Sequence, residues 1–316
     1  MKTLRSAAAS VLLLCVALAA TATPASAAPI VLTEARNGTS FQSFTMDPTT
    51  GRYYMKSTYG NAPSLTVYAD RAAFLANTPS GSVNPFGGSV GPYVTVNAGD
   101  LYARTQVNAS ATPVTTAVWD LGTGLQTATS AGIGTVGGGN AGFNWGGYSN
   151  GNFLQDETGV YYLGSAGNGP SSTWEIHKVD SALNSTASWS FSVAGIATNN
   201  ANPGYAFMMG GKLFVGESYN SDFVTGVLDF ATGQVTFQTF EIDGTWAGSY
   251  WNSTFYDPLA DVLYLNNTNT SKLYMVENAE AAFGVVSAPV PEPGILAVFG
   301  LGLAGLGLSR RRRARK

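Results

Sequence analysis

Short stretches of alternating apolar and polar residues, separated by Gly, Asn and Asp, recur along residues 28–288. Examples are Leu65-Thr66-Val67-Tyr68, Trp174-Glu175-Ile176-His177 and Val235-Thr236-Phe237. A period of two predicts β-strands with one buried face, and the intervening residues predict turns. The best candidates for helix are the short windows 72–76 and 277–282. The pattern therefore predicts an all-β body with little helix.

Five of the turns start a repeated unit. Each turn residue is followed by a short strand with an aromatic residue at the fourth position, and the turns lie 48, 60, 52 and 50 residues apart. A second strand with an acidic turn follows 16 to 21 residues after each first turn. The five units begin at Gly51-Arg52-Tyr53-Tyr54, Gly99-Asp100-Leu101-Tyr102, Gly159-Val160-Tyr161-Tyr162, Gly211-Lys212-Leu213-Phe214 and Asp261-Val262-Leu263-Tyr264.

A repeat of this length with several strands is typical of propeller blades, which bury their faces against neighbouring blades around an axis. The phrases Asp47-Pro48-Thr49-Thr50-Gly51 and Asp229-Phe230-Ala231-Thr232-Gly233 match hairpin turns in which Asp accepts backbone hydrogen bonds and Gly takes a positive φ. The sequence thus predicts a β-propeller of about five blades, closed by a strand at residues 30–33. A β-sandwich, or another Gly-rich β repeat, is the alternative.

The N-terminus has the pattern of a secretory signal. Lys2 and Arg5 precede an apolar segment, residues 7–20, and Ala25-Ser26-Ala27 is a small-x-small cleavage site. We therefore expect an N-terminal signal helix in residues 1–27, removed by signal peptidase; a retained membrane helix is the alternative. The only cysteine, Cys15, lies in this leader, so we expect a mature chain without thiols or disulfides.

The C-terminus carries a second membrane-directed pattern. Residues 294–308 have no charge, and Arg310, Arg311, Arg312 and Arg313 follow after one serine. The apolar run approaches the minimum length for a single hydrophobic helix that spans a bilayer. The arginine cluster favours the cytoplasmic side, which places the body on the periplasmic side of the inner membrane. The alternative is a buried core helix with a solvated basic tail.

This tail begins with Val290, Pro291, Glu292 and Pro293, and in its order of motif, apolar helix and arginine cluster it resembles the PEP-CTERM sorting signal. The resemblance covers residues 290–316 and places the sorting tail at residues 289–316. It implies processing by an exosortase, a membrane protease-transpeptidase, in a Gram-negative bacterium that makes exopolysaccharide or biofilm matrix. The prolines stop a helix from extending across the membrane boundary, which leaves an extended peptide outside the bilayer for a protease.

Charge is scarce and unevenly placed. Only 11% of the residues are charged. Eight of the sixteen basic residues lie in the two ends, so the other eight face nineteen acidic ones and residues 28–308 carry about −11. Such a surface repels phosphates, which argues against a nucleic-acid partner.

Few residues suggest catalysis. His177 is the only histidine, and its alternating strand indicates a surface position rather than a catalytic base. No Cys–His pair, nucleophile elbow or calcium loop occurs, and the carboxylate pairs fit turns or solvated strand faces: Asp156 with Glu157, Glu241 with Asp243, and Asp257 with Asp261. We expect no catalytic residue, cofactor or metal site. A secreted propeller enzyme that uses these carboxylates on a polysaccharide is the alternative.

Two aromatic-rich stretches suit carbohydrate stacking, because an apolar sugar face packs on an aromatic ring while amides bind the hydroxyls. The alternative is packing inside the blades. The candidate stacking residues are Trp145, Tyr148, Trp246, Tyr250 and Trp251.

Taken together, the sequence predicts an exported protein, briefly anchored in the inner membrane and then at the cell surface or outside the cell. We expect a structural or binding role, with a polysaccharide as a candidate partner.

Overall fold

The computed structural model describes residues 30–37, 43–56, 64–85, 94–105, 115–134, 152–165, 173–192, 205–216, 223–240, 251–267 and 271–285. Within them the chain forms five four-stranded antiparallel sheets, which we number as blades 1 to 5. Blades 1 to 4 are each made of four consecutive strands: β2 (Ser43–Met46), β3 (Tyr53–Lys56), β4 (Leu65–Tyr68) and β5 (Gly81–Val83); β6 (Val94–Asn97), β7 (Asp100–Arg104), β8 (Thr116–Asp120) and β9 (Leu125–Ser130); β10 (Asn152–Asp156), β11 (Gly159–Ser165), β12 (Thr173–Val179) and β13 (Ser185–Ser192); β14 (Tyr205–Met209), β15 (Lys212–Gly216), β16 (Phe223–Asp229) and β17 (Gln234–Phe240).

Blade 5 joins the two ends of the body. It consists of β18 (Trp251–Asp257), β19 (Val262–Asn267) and β20 (Lys272–Glu277), and its outer strand is β1 (Thr33–Asn37) from the start of the chain. The first strand of each blade, which we call its inner strand, contacts the inner strands of the blades on either side, and β18 contacts β2. The ring is therefore closed, and the predicted five-bladed propeller is confirmed.

The strand that closes the ring lies later than the sequence suggested. Residues 30–33 were expected to form it, but β1 begins at Thr33, which pairs with Met275, and Ile30 makes only an isolated bridge. Ile30 instead packs in the core between blades 4 and 5, where its apolar side chain is 3% exposed.

Packing between blades follows the aromatic repeat, with one shift. Tyr54 packs between blades 1 and 2, and Tyr102 packs between blades 2 and 3, so each faces the next blade. In blade 3 the residue that faces the next blade is Tyr161, while Tyr162 faces back towards blade 2. The predicted alignment of Tyr162 with the other aromatics is wrong because Gly159 pairs with Asp156 inside the hairpin instead of ending the turn.

Two short helices cover clefts at the rim. Helix α1 (Arg71–Leu75) starts at Asp70, whose side chain accepts a hydrogen bond from the Ala73 amide, and it buries Phe74 between blades 5 and 1. Helix α2 (Ala279–Ala282) follows β20. Both lie where helical spacing was predicted. No helix among the described residues is long and apolar enough to span a bilayer.

Neighbouring inner strands run in the same direction. The Val96 amide lies 3.4 Å from Thr45 Oγ1, and two residues further along both strands the Ala98 amide lies 3.0 Å from Asp47 Oδ1. The ring therefore has two distinct faces. We call the end where the inner strands begin the start face, and the end where they finish the turn face.

Polar residues at the turn-face ends of the inner strands connect blade 1 to blade 2, blade 2 to blade 3 and blade 5 to blade 1. Asp47 accepts hydrogen bonds from the amides of Ala98 and Gly99 in blade 2. Asn97 donates to Gln155 of blade 3. Asp257 of blade 5 accepts the Tyr53 hydroxyl of blade 1. These contacts explain why several aspartates of this ring are buried.

Lys56, the last residue of β3, has no exposed surface. Its titration therefore gives a prediction for the pH dependence of stability. Burial, followed by the nearby positive charge of Arg104, lowers the pKa of its ammonium to about 8. A pKa below the unfolded value means that the unfolded chain binds more protons, so stability rises with pH. Relative to Lys56→Met, we expect the free energy of unfolding to rise by about 1 to 3 kcal/mol between roughly pH 8 and pH 10.

Urea titrations of both proteins at several pH values measure this difference. The methionine variant cancels the contribution of tyrosines, which also titrate near the upper end of the range. Parallel stability curves for the two proteins would show that Lys56 does not carry a buried charge. At neutral pH we also expect Lys56→Met to be the more stable protein, because an apolar side chain of similar length avoids the desolvation of the ammonium.

Candidate functional site

The axis of the ring is nearly filled by side chains. The inner strands surround a narrow channel, with Phe44, Phe153 and Phe255 among its lining residues. The free space has a volume of about 30 Å³, enough for roughly two water molecules. Between the described strands the channel therefore has no room for a sugar ring or a cofactor.

Polar contacts across the channel join inner strands directly. Thr95 Oγ1 donates to the Phe153 carbonyl at 2.7 Å, and Thr254 Oγ1 donates to the Ala206 carbonyl at 2.9 Å. Gln155 donates from its amide to Thr45 Oγ1 and to the Met46 carbonyl. These contacts tie inner strands of different blades together, whereas Ser43 Oγ and Asn152 Oδ1, from residues that line the same channel, have no hydrogen-bond partner among the described residues.

The predicted sorting and stacking residues lie mostly outside the described part of the chain. This holds for Val290, Pro291, Glu292 and Pro293, for Arg310, Arg311, Arg312 and Arg313, and for Trp145, Tyr148, Trp246 and Tyr250. Trp251 is the first residue of β18.

The strands nevertheless determine where the aromatic stretches attach. Residues 135–151 join the end of β9 to the start of β10, and residues 241–250 join the end of β17 to the start of β18. The inner strands β10 and β18 begin at the start face. Both stretches therefore enter their blades at the same face of the ring.

His177 is buried, so the prediction of a surface position is wrong. Its Nε2 lies 3.0 Å from Glu175 Oε2, and its Nδ1 lies 3.0 Å from Ser185 Oγ. A carboxylate at Nε2 favours a hydrogen there and leaves Nδ1 to accept the serine hydroxyl. The alternation of side chains along β12 predicts that Glu175 and His177 lie on the same face of the strand. The contact with Ser185 was not predictable in this way, because Ser185 belongs to the neighbouring strand β13.

A Ser-His-carboxylate chain can in principle activate a serine. Here Gly134 lies against the Nε2 and Cε1 edge of the ring, and the Ser185 hydroxyl is also 3.3 Å from the Ala187 carbonyl. The imidazole is thus enclosed and its hydrogen bonds are local to blade 3. This arrangement supports a structural role in holding β12, β13 and residue 134 together.

The contact at Gly134 gives a prediction. Gly134 has a φ of +62°, and a Cβ atom there would lie 2.1 Å from His177 Nε2. We expect Gly134→Ala to lower the free energy of unfolding by about 2 to 4 kcal/mol, from backbone strain and displacement of the imidazole. The control is Gly233→Ala, where φ is +68° and the added methyl meets no atom within 4 Å; strain alone should cost about 1 kcal/mol there.

Urea denaturation compares the two alanine variants. If both lose the same stability, the Gly134 backbone moves away freely and His177 is not enclosed. A double variant with His177→Ala adds a further check, since removing the ring should recover part of the loss at residue 134.

The carboxylate pairs serve turns. Asp156 and Asp257 are buried, and each accepts the amide hydrogen two residues further along the chain. Asp261 accepts the Tyr256 hydroxyl and the Glu280 amide. Glu241 and Asp243 lie outside the described residues. Within the described ranges, no three His, Asp or Glu side chains come together in a way that could hold a metal ion.

The structure adds an aromatic cluster that the sequence analysis missed. Tyr161 and Phe230 stack at 5.5 Å, Trp189 lies 4.4 Å from Phe230, and the Lys178 ammonium lies 5.7 Å from the centre of the Tyr161 ring. Trp189 and Phe230 are half-buried in the cleft between blades 3 and 4. The one sequence signal for this cluster is the alternation of serines with Trp189 and Phe191 along β13, which indicates that the two aromatic side chains lie on the same face of the strand.

Comparison with known proteins identifies the tail. Residues 289–313 match the PEP-CTERM protein-sorting motif. No curated protein matches the chain. The crystal structure of Myxococcus xanthus glutaminyl cyclase matches with a TM-score of 0.48 and 11% identity, over 79% of this chain and 98% of that one. Kuenenia stuttgartiensis hydrazine synthase matches with a TM-score of 0.42 and 11% identity, over 72% of this chain and 55% of that one.

The predicted sorting tail is thereby confirmed at the level of its motif. The motif implies an exported protein that is processed by an exosortase and is transiently anchored in a membrane. The two structural likenesses leave the activity of the body open.

Proposed function

We propose that this chain is a cell-surface or extracellular-matrix protein whose propeller binds a polysaccharide and does not cleave it. After removal of residues 1–27, the tail would hold the body on the periplasmic side of the inner membrane until an exosortase releases it to the exopolysaccharide or biofilm matrix. The exported, tail-sorted nature of the chain supports the location. The proposed binding role rests on two aromatic-rich stretches that each precede an inner strand beginning at the start face.

The observation that carries the proposal is the common attachment of the two aromatic-rich stretches. They contain Trp145, Tyr148, Trp246 and Tyr250, and Trp251 begins β18. Both stretches lead into inner strands at one face of the closed ring. We therefore infer that their aromatic side chains bind the same polysaccharide chain. The narrow axial channel favours a ligand that lies across the face over one that enters the ring.

The direct test is affinity electrophoresis of the mature protein in gels that contain different polysaccharides, including the exopolysaccharide of the producing bacterium. Trp145→Ala combined with Trp246→Ala should weaken retention at least about fivefold, given roughly 0.5 to 1.5 kcal/mol for each aromatic contact. The control is Trp189→Ala, which removes an aromatic near the turn face. Unchanged retention in the double variant, or an equal loss in the control, would contradict the proposed binding face.

Cleavage is tested in the same samples. Release of reducing ends or oligosaccharides would favour the alternative, a secreted propeller enzyme acting on a polysaccharide. Under the present proposal no product accumulates. The turn contacts of Asp156 and Asp257 support this, because both side chains are buried and each accepts a backbone amide of its own turn through Oδ1.

Sorting has its own test. Replacing Pro291, Glu292 and Pro293 by alanine should leave the full-length chain in the membrane fraction, whereas the unchanged chain should appear as a shortened, released form. Unaltered processing of the alanine variant would show that the motif does not direct it. This result is independent of polysaccharide binding.

A further inference from the structure

Both ends of the body come together near the turn face. Ile30 and Val285 are buried in the same core cluster between blades 4 and 5. Helix α2, just before Val285, is tied to the hairpin between β18 and β19, because the amides of Ala279 and Glu280 donate to Asp261. That hairpin belongs to the turn face, so the chain enters and leaves the ring there.

The distance to the sorting tail is short. Eight residues, 286–293, separate Val285 from the apolar run that begins at Gly294. Eight residues span at most about 26 to 29 Å when fully extended. While the tail is in the bilayer, the point where the chain leaves blade 5 is therefore held within this distance of the membrane surface.

The turn face is strongly acidic. Its described turns and strand ends carry twelve acidic and four basic side chains, a formal charge of −8. Three of the acidic residues, Asp47, Asp156 and Asp257, are buried, which leaves nine that are not. The surface set is Asp70, Asp100, Asp120, Glu157, Asp180, Asp229, Asp261, Glu277 and Glu280, with Arg52, Arg71, Lys178 and Lys212 as the bases.

We propose that in the anchored form the turn face is directed at the membrane and is held off an anionic lipid surface by its negative charge. The tether keeps this face close, while repulsion acts within roughly one Debye length, about 8 Å at physiological salt. The body consequently stands away from the bilayer, which keeps residues 290–293 accessible to a membrane protease. The start face then points away from the membrane. This orientation goes beyond the proposed function and does not depend on what the body binds.

Energy transfer to dye-labelled lipid headgroups measures the orientation. The mature chain has no cysteine if the leader is removed, so single-cysteine variants can be labelled without background. Ala182→Cys and Ala231→Cys place the dye at exposed turn-face positions, and Ser64→Cys and Ser192→Cys place it at exposed positions near the start face. The mature chain, including its tail, is reconstituted in phosphatidylcholine vesicles and labelled with an impermeant dye.

Transfer should be higher at the two turn-face positions than at the two start-face positions. Equal or reversed transfer would overturn the orientation, and so would failure of the protein to float with the vesicles. The charge component is tested by adding phosphatidylglycerol at low salt, which should lower transfer at Ala182→Cys, and by 1 M salt, where screening is about 3 Å, which should restore it.

A variant isolates the contribution of the acidic residues. Asp70→Asn, Asp120→Asn and Asp229→Asn keep Oδ1 acceptors for the turn amides and remove three charges. In phosphatidylglycerol vesicles this triple variant should approach the membrane more closely than the unchanged chain. If its transfer is the same, or if phosphatidylglycerol has no effect on the unchanged chain, the electrostatic separation is disproved.

Discussion

Arg36→Ala is expected to lower the free energy of unfolding by about 3 kcal/mol, which corresponds to a fall in Tm of roughly 6 to 12 °C for a domain of this size. Arg36 lies in the closing strand β1 and is 7% exposed. Its guanidinium donates to the Phe74 carbonyl at 3.0 Å and to the Asn77 side chain, and it lies over the rings of Tyr68 and Phe74. One side chain thus ties the start of the chain to the helix of blade 1.

The matched control is Lys272→Ala. Lys272 of β20 also contacts the closing strand, through an ion pair with Glu34 of β1. Both side chains are partly exposed, at 31% for Lys272 and 39% for Glu34. An exposed pair of this kind contributes about 0 to 1 kcal/mol. Thermal and urea unfolding of the two variants distinguish the contacts. Similar small losses in both would show that ring closure depends on strand pairing rather than on Arg36.

The importance of Arg36 could not be foreseen from the sequence. The residue appears as a single cation in a short strand, and its partners lie between 32 and 41 residues further along the chain. Strand periodicity reports which side of a sheet a residue occupies, but it contains no information about a helix that packs across the neighbouring cleft. The same limit applies to His177, which is enclosed by Gly134 from the previous blade.

The blade number was predictable because every blade repeats the same local chemistry. A tight turn, a buried second strand and an acidic third-strand end recur in each unit, as at Gly99, Tyr102 and Asp120. The alignment of blade 3 was not predictable from this pattern, since Gly159 occupies a paired strand position where the other units have a turn residue. A glycine fits both positions, and only pairing with Asp156 decides between them.

Function is harder to predict than fold for a related reason. The residues that shape the ring are local repeats, whereas the candidate stacking residues Trp145 and Trp246 lie about a hundred residues apart in the sequence and outside the described residues. The sorting tail is the opposite case, because its motif, apolar run and arginine cluster are adjacent in sequence. A sorting role for the tail is therefore predictable from the sequence alone.

Asp47→Ala is expected to cause the largest loss of stability in the ring, about 3 to 5 kcal/mol. Asp47 is fully buried, and its carboxylate accepts hydrogen bonds from its own turn and from the amides of Ala98 and Gly99 at 3.0 and 3.1 Å. Removing the buried carboxylate takes the acceptor away from the amides of Thr49, Ala98 and Gly99 and leaves a space between blades 1 and 2. Because two of those donors belong to the next blade, the loss also weakens the junction itself.

Asp120→Ala is the control, since Asp120 accepts two turn amides in the same way but lies at the surface. Water can replace its carboxylate, so we expect a loss of about 1 kcal/mol. Hydrogen exchange on the two variants adds a local measurement: Asp47→Ala should increase exchange of the Ala98 and Gly99 amides, and Asp120→Ala should not. Equal stability losses, or unchanged exchange at residues 98 and 99, would mean that the junction between blades is held by apolar packing alone.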